Sequence, residues 1–298
     1  MNANPLSARL ESDVAQVTAL VSYMTVAIDP TGDEWITSAS LLSDENLLPE
    51  LLATTGTGRG TDDRVVSASL FVQSYAYRLA VASLAPMALT GRCPDVSIEN
   101  VAFRISRNRP AGIALLAARQ LETPSFDSPE VFKTVFDSIF NHHLDPLIEH
   151  IREITRIGER LLWGNVASSF VNVLRSLESA HPEYDSRANI RRFTTDFLDA
   201  APHALAELGT CFSLRSGDAE GWFHERNTCC LWHKTDESQR AAVSVCADCS
   251  LTSNDERRAS LLAELRSASL TGTGNPSPSA PASPSAPAPA PSIGTSSS

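Results

Sequence analysis

Cysteine is scarce in this chain, and its placement is uneven. Of six cysteines in 298 residues, Cys93 and Cys211 stand alone, while Cys229, Cys230, Cys246 and Cys249 fall near the C-terminal end. Basic charge is also short: Lys plus Arg number 24 against 35 Asp plus Glu, a net charge of −11. That excludes non-specific nucleic-acid binding, which requires a basic surface. No long hydrophobic run exists. The most apolar early stretch, Val17 to Ile28, is broken by Thr18, Ser22 and Thr25, short of the roughly twenty residues a membrane span needs. The first fifteen residues carry Arg9, Glu11 and Asp13 and no apolar signal-peptide core,. A cytoplasmic protein is therefore expected. Dinucleotide fingerprints are missing too. The one glycine-rich stretch, GTGRG (56–60), lacks the spacing, precedes a helix and follows no strand, so it reads as a turn. There is no P-loop. Nicotinamide and flavin binding are unsupported, and any electrons must come from a separate donor.

What is present is mostly helix. Candidate helices cover 6–28, 64–85 from a Thr61 cap, 129–143, a new one from Asp145-Pro146, 157–180, 186–207 and 254–267. Their apolar residues recur at helical spacing: Val66, Leu70 and Leu79, then Phe132, Phe136 and Phe140, then Leu161, Val166, Phe170, Leu174 and Leu177,. SIENVAFRIS (97–106) and AGIALLAA (111–118) flank RNRP as the arms of a hairpin,. Strands are too few for a doubly wound sheet. The expected class is α+β, predominantly helical, with a small hairpin and a C-terminal cysteine cluster. Three regions follow: a helical body over 1–225 with the ligand cleft, a cluster-binding region over 226–268, and a tail over 269–298. The tail is uncharged and rich in Pro, Ala and Ser, which favours extended, solvated chain.

A cytosolic thiol group reads as a metal site before a disulfide framework. Cys246-Ala-Asp-Cys249 has the spacing that lets two thiolates meet one metal. The adjacent pair Cys229-Cys230 is stranger, because neighbouring side chains on a strand point to opposite faces. Either the backbone leaves strand geometry or the centre is wide. Zinc prefers ligand pairs two to four residues apart, whereas a [2Fe–2S] rhomb takes two thiolates per iron. The pattern leans to iron–sulfur; structural zinc and accidental grouping remain open. Cys93 and Cys211 read as core fillers.

These cysteines, CC…CxxC, resemble the motif of the FhuF-type ferric-siderophore reductases. LTGRCPDVSIENVAFR (89–104), HHLDPLIEHIREITRIGERLLWGNVASS (142–169) and ERNTCCLW (225–232) are similar as well, so the likeness runs over about residues 65–250. It implies a cytoplasmic oxidoreductase with no membrane span. Cys229, Cys230, Cys246 and Cys249 would hold a [2Fe–2S] cluster that reduces a ferric siderophore by one electron. The alternatives are a non-enzymatic protein with a structural zinc site of four cysteines, or an iron–sulfur redox or iron sensor. One departure stands out: fifteen residues, Leu231 to Val245, separate the two pairs, against about ten in the family. As flexible loop, the difference costs about 0.4 kcal/mol.

Other polar groups read more plainly. His142, His143 and His150 match no metalloprotease spacing and read as solvated or capping. Arg152, Arg156 and Arg160 fall at i, i+4, i+8, on one helix face, paired locally with Glu149, Glu153 or Glu159. Trp163 reads as core, and Gly164 after it as a point of close approach. Trp222, Phe223 and Trp232 read as shielding or packing near the cysteines, with Arg226 and His233 placed to balance thiolate charge.

Overall fold

The computed structural model describes residues 5–122, 130–202, 205, 207–217, 219–241 and 249–271. The fold is α+β and mainly helical. In chain order the elements are α1 (Pro5–Leu20), β1 (Val26–Ile28), β2 (Ile36–Thr37), α2 (Ser40–Ser43), α3 (Leu47–Arg59), α4 (Arg64–Ala82) and α5 (Leu84–Thr90). Then come β3 (Val101–Ser106), β4 (Arg109–Leu115), α6 (Glu130–Phe136), a wide-turn π segment (Asp137–Leu144), α7 (Asp145–Thr155), α8 (Glu159–Ala180) and α9 (Tyr184–Ala200). The chain closes with β5 (Gly209–Ser216), β6 (Ala219–Arg226), α10 (Asp236–Arg240) and α11 (Asn254–Thr271).

Helices α4 and α8 lie at the centre, and most residues of each are buried. Hydrogen bonds cross between them: Asn165 donates to the Ser69 carbonyl at 3.0 Å and Ser169 Oγ to the Gln73 carbonyl at 2.9 Å. Around them Phe71, Leu79, Phe170 and Leu174 are almost wholly buried, each contributing about 1.5–3 kcal/mol by burial. Phe132 and Phe136 of α6 meet Phe193 and Phe197 of α9 in an aromatic cluster. A four-stranded sheet of order β1-β4-β3-β2 covers part of this core, with β1 parallel to β4 and the other pairs antiparallel.

The expected hairpin over 97–118 is β3–β4. Its turn is Arg107-Asn108, both left-handed at φ 50° and 58°, the geometry of a tight hairpin turn. A second hairpin, β5–β6, was not anticipated; its register pairs Gly209 with Arg226. Phe223 on it packs with Leu261 and Leu265 of α11.

Several expectations need correcting. The helix foreseen over 6–28 stops at Leu20, and Val26–Ile28 is strand β1 instead, because the parallel partner β4 takes its backbone bonds. The cap of α4 is Asp63, which accepts from the Val65 and Val66 amides at 2.8 and 3.2 Å, and not Thr61. Asp145 does not cap a fresh helix: Leu144 is already helical, so α7 continues from the π segment. GTGRG is not a free turn, since Gly56 to Arg59 form the last turn of α3 and Gly60 caps it at φ 69°. The tail beyond Thr271 and Cys246 lie outside the described residues.

Candidate functional site

β6 runs directly into the adjacent cysteines, and its last two residues carry the arrangement. Arg226 is almost fully buried. Its Nε donates to the Thr228 carbonyl at 2.8 Å and its Nη2 to Asn165 Oδ1 at 2.7 Å. Asn165, on α8, donates to the Ser69 carbonyl at 3.0 Å and to Ser69 Oγ at 2.8 Å. Ser69, on α4, donates from Oγ to the Cys230 carbonyl at 2.7 Å. A closed, buried polar chain therefore joins both central helices to the backbone around Cys229 and Cys230. Gly164 sits so close to this loop that a Cβ there would lie 1.7 Å from Thr228 Oγ1.

Glu225, the residue before Arg226, performs the same service for the second cysteine segment. Arg257 of α11 donates from Nε to Glu225 Oε1 at 3.1 Å and from Nη1 to the Cys249 carbonyl at 2.9 Å. Cys229 and Cys249 are thereby brought into a thiol–thiol hydrogen bond, with Cys230 near both. The Cys229 thiol is raised, first by the bond to Cys249 and then by burial. The Cys249 thiol is lowered to about 6, first by that bond and also by the Leu251 amide and the Arg226 charge.

The backbone does leave strand geometry at the adjacent pair. Leu231 is left-handed at φ 64°, which turns its N–H back onto Cys229 Sγ at 3.3 Å. The Leu251 amide approaches Cys249 in the same i+2 relation. Amides aimed at sulfur stabilise thiolate over thiol. His233 Nδ1 lies 3.5 Å from Cys229 Sγ. Trp232 has a buried indole nitrogen with no partner among the described residues. Cys230 and Cys249 are buried and Cys229 is half-buried. Of the four predicted cysteines, Cys249 meets Cys229, whose chain neighbour is Cys230, and Cys246 lies outside the described residues. Among the described residues no group of three His, Cys, Asp or Glu side chains has metal-site geometry.

The spacer after the adjacent pair is not the slack loop that the closure argument assumed. Trp232–Lys234 form a single turn, and Thr235 Oγ1 caps α10 by accepting from the Ser238 amide at 3.1 Å. Asp236 N donates to the Gly60 carbonyl at 3.2 Å, and Glu237 pairs with the buried Arg59. GTGRG is thus the seat on which the first part of the spacer rests.

The remaining candidates separate cleanly. His142 is exposed, but His143 is fully buried, contrary to the solvated reading. Its Nε2 is 2.6 Å from Tyr75 Oη and its Nδ1 is 2.5 Å from the Val96 carbonyl. The π segment widens the helix at this point and accommodates the ring. The arginine stripe does not exist: Arg156 terminates α7 at φ 59° and Arg160 belongs to α8. Arg152 pairs with Glu159 at 2.9 Å. Trp163 packs on Phe140 at 5.6 Å between ring centroids. Trp222 and Phe223 are core residues of the hairpin, held by Arg175, which donates to the Trp222 carbonyl at 3.0 Å and lies over the Phe223 ring. Cys93 is core, as read. Cys211 is half-buried on β5, away from the other thiols in sequence, and burial pushes it up to about 12.

Fold and site together define a helical α+β protein with a thiol-rich C-terminal site braced by its two central helices. Residues 69–214 match the model of the family described as "Ferric iron reductase FhuF-like transporter". The match opens on Ser69 and includes Asn165, but ends before the cysteine pairs. No curated protein matches the chain. No helix among the described residues is long and apolar enough to cross a membrane.

Proposed function

We propose that this protein is a cytoplasmic ferric-siderophore reductase in which Cys229, Cys230, Cys246 and Cys249 hold a [2Fe–2S] cluster. The observation that carries the reading is the buried Ser69–Asn165–Arg226 chain. It ties the segment named for ferric iron reduction to the backbone of the cysteine pair.

The donor set fits such a group. Cys249 meets Cys229, two amides point at sulfur, and the buried Arg226 guanidinium acts on Cys249 to balance thiolate charge,. When bound, a [2Fe–2S] cluster supplies one electron at a time, at a potential set by hydrogen bonds to sulfur and by solvent exposure. The protein's part is to hold the sulfurs and exclude water from the buried Cys230 and Cys249. Reduction matters because siderophores grip Fe(III) through hard oxygen donors that hold the softer Fe(II) far less well. No nucleophile or general base is required. The GTGRG stretch is occupied with packing, so a separate protein or reductant supplies the electrons.

The test is anaerobic purification with analysis of iron, acid-labile sulfide and zinc. Two irons and two sulfides per chain with visible absorption support the reading. A colourless protein with one zinc overturns it in favour of a structural site. An intact cluster whose dithionite-reduced form delivers no Fe(II) from hydroxamate, catecholate or carboxylate complexes points to a sensor instead.

A further inference from the structure

A concentration of positive charge sits beside the cysteine segment in this otherwise acidic chain. The C-terminal turn of α3 packs on the β3–β4 turn so closely that a Cβ on Gly58 would lie 2.5 Å from Asn108 Cβ. That contact sets Arg59 next to Arg107 and Arg109, which flank Asn108. Arg78 of α4 lies over the Tyr77 ring at 5.4 Å, and its charge reaches Arg109. Arg109 is lowered by burial and then by the nearby charges of Arg59, Arg78 and Arg107, with Glu237 the acid that opposes them. Burial also lowers Arg78. Glu237 is already taken by Arg59. Among the described residues Arg78, Arg107 and Arg109 make no ion pair.

Like charges held together and partly removed from water are unfavourable unless something compensates them. We propose that Arg78, Arg107 and Arg109, beside the Arg59–Glu237 pair, form an anion-binding site, and that its ligand is a ferric chelate made negative by its catecholate or carboxylate oxygens. The iron in that ligand rests on the reductase reading; the anion site does not. Guanidinium is the cation best matched to paired oxygens. The site adjoins α10, which starts a few residues after Cys230 and is seated on Gly60, so a chelate bound there lies on the flank of the cysteine loop. A small ligand is favoured over an acidic protein for two reasons. Arg78 and Arg109 are half-buried rather than spread on an exposed face. The net charge of −11 opposes a large acidic partner over its whole surface, whereas a small anion feels mainly the local field,.

Calorimetric titration of the full chain with two redox-inert gallium(III) complexes tests the site without requiring electron transfer. The trianionic tricatecholate should bind roughly tenfold or more tightly than a neutral trihydroxamate, and the preference should shrink with added salt. Arg107→Gln, at an exposed turn where folding is not at stake, should reduce the preference, and Arg107→Gln with Arg109→Gln should abolish it. Equal affinity for both complexes, or a preference that survives the double substitution with unchanged melting, overturns the site. If the variants instead lose affinity only for an acidic redox protein, the small-ligand assignment falls. An arginine-dependent preference with no reduction of the matching iron(III) complex leaves this site standing and removes the reductase reading; the reverse result removes this site alone.

Discussion

Gly164 and Thr228 touch: a methyl group added to the glycine would fall 1.7 Å from Thr228 Oγ1 and 2.7 Å from its Cβ. Neither atom can retreat cheaply. Thr228 is buried, and its carbonyl is held by Arg226. Gly164→Ala should therefore cost about 1–3 kcal/mol and displace the loop that carries Cys229 and Cys230. Thermal melting reads the cost, and iron and sulfide content reads the displacement. Thr228→Gly on the same background should restore part of both. A Gly164→Ala protein that melts and loads like the wild type would remove the idea that this contact fixes the cysteine loop.

Asn165→Ala tests the polar chain. The substitution strips partners from the Arg226 guanidinium and from Ser69, both buried. Abandoning buried hydrogen-bonding groups, one of them charged, should cost about 2–3 kcal/mol. Ser69→Ala should cost less, about 1 kcal/mol, because it removes one hydroxyl whose main task is the bond to the Cys230 carbonyl,. Urea unfolding of the two variants separates them, and the opposite ranking would show that Asn165 is not the centre of the network.

Cys249→Ser and Cys246→Ser should each abolish or strongly perturb iron and sulfide binding, whereas Cys93→Ser should leave it intact. Cys93 is buried in the main core with its thiol against the Pro94 carbonyl, so its cost falls on stability. Equal loss of iron from all three variants would undermine the ligand assignment.

How far the residues foretold this architecture depends on the range of the interaction concerned. The hairpin over 97–118 and the helices α4, α8 and α11 were legible because period and turn chemistry are local. Strand β1 was not, because Val26–Ile28 owes its state to β4, far along the chain,. The arginine stripe failed for a local reason that only the backbone reveals: Arg156 turns left-handed at φ 59° and breaks the face. The site divides the same way. Cysteine identity and spacing were readable, and Arg226 and His233 were rightly placed beside the thiols. Ser69, Asn165 and Arg257 carried no signal, since their partners lie on other elements. Gly164 was flagged as a place of close approach, but only the fold names Thr228 as what approaches.

His143 gives a stability prediction with a defined sign. Burial lowers its pKa from 6.5 to about 4, against smaller opposing effects of the Val96 carbonyl and Asp95. Between those values the unfolded chain binds a proton that the folded protein refuses. The contribution is therefore fully present above pH 6.5 and is lost as pH falls towards 4. Its size is roughly 3 kcal/mol. The neutral ring is fixed between Tyr75 Oη and the Val96 carbonyl, so the nearby Asp95 charge offsets only part of the cost of protonation. Urea unfolding at a series of pH values from 4.5 to 7.5 should show stability rising with pH. His143→Gln should be less stable at pH 7, by about 1–2 kcal/mol for the lost geometry, and its stability should rise less steeply across the same range. Parallel profiles for wild type and variant would place the pH dependence on other groups and leave His143 with a packing role alone.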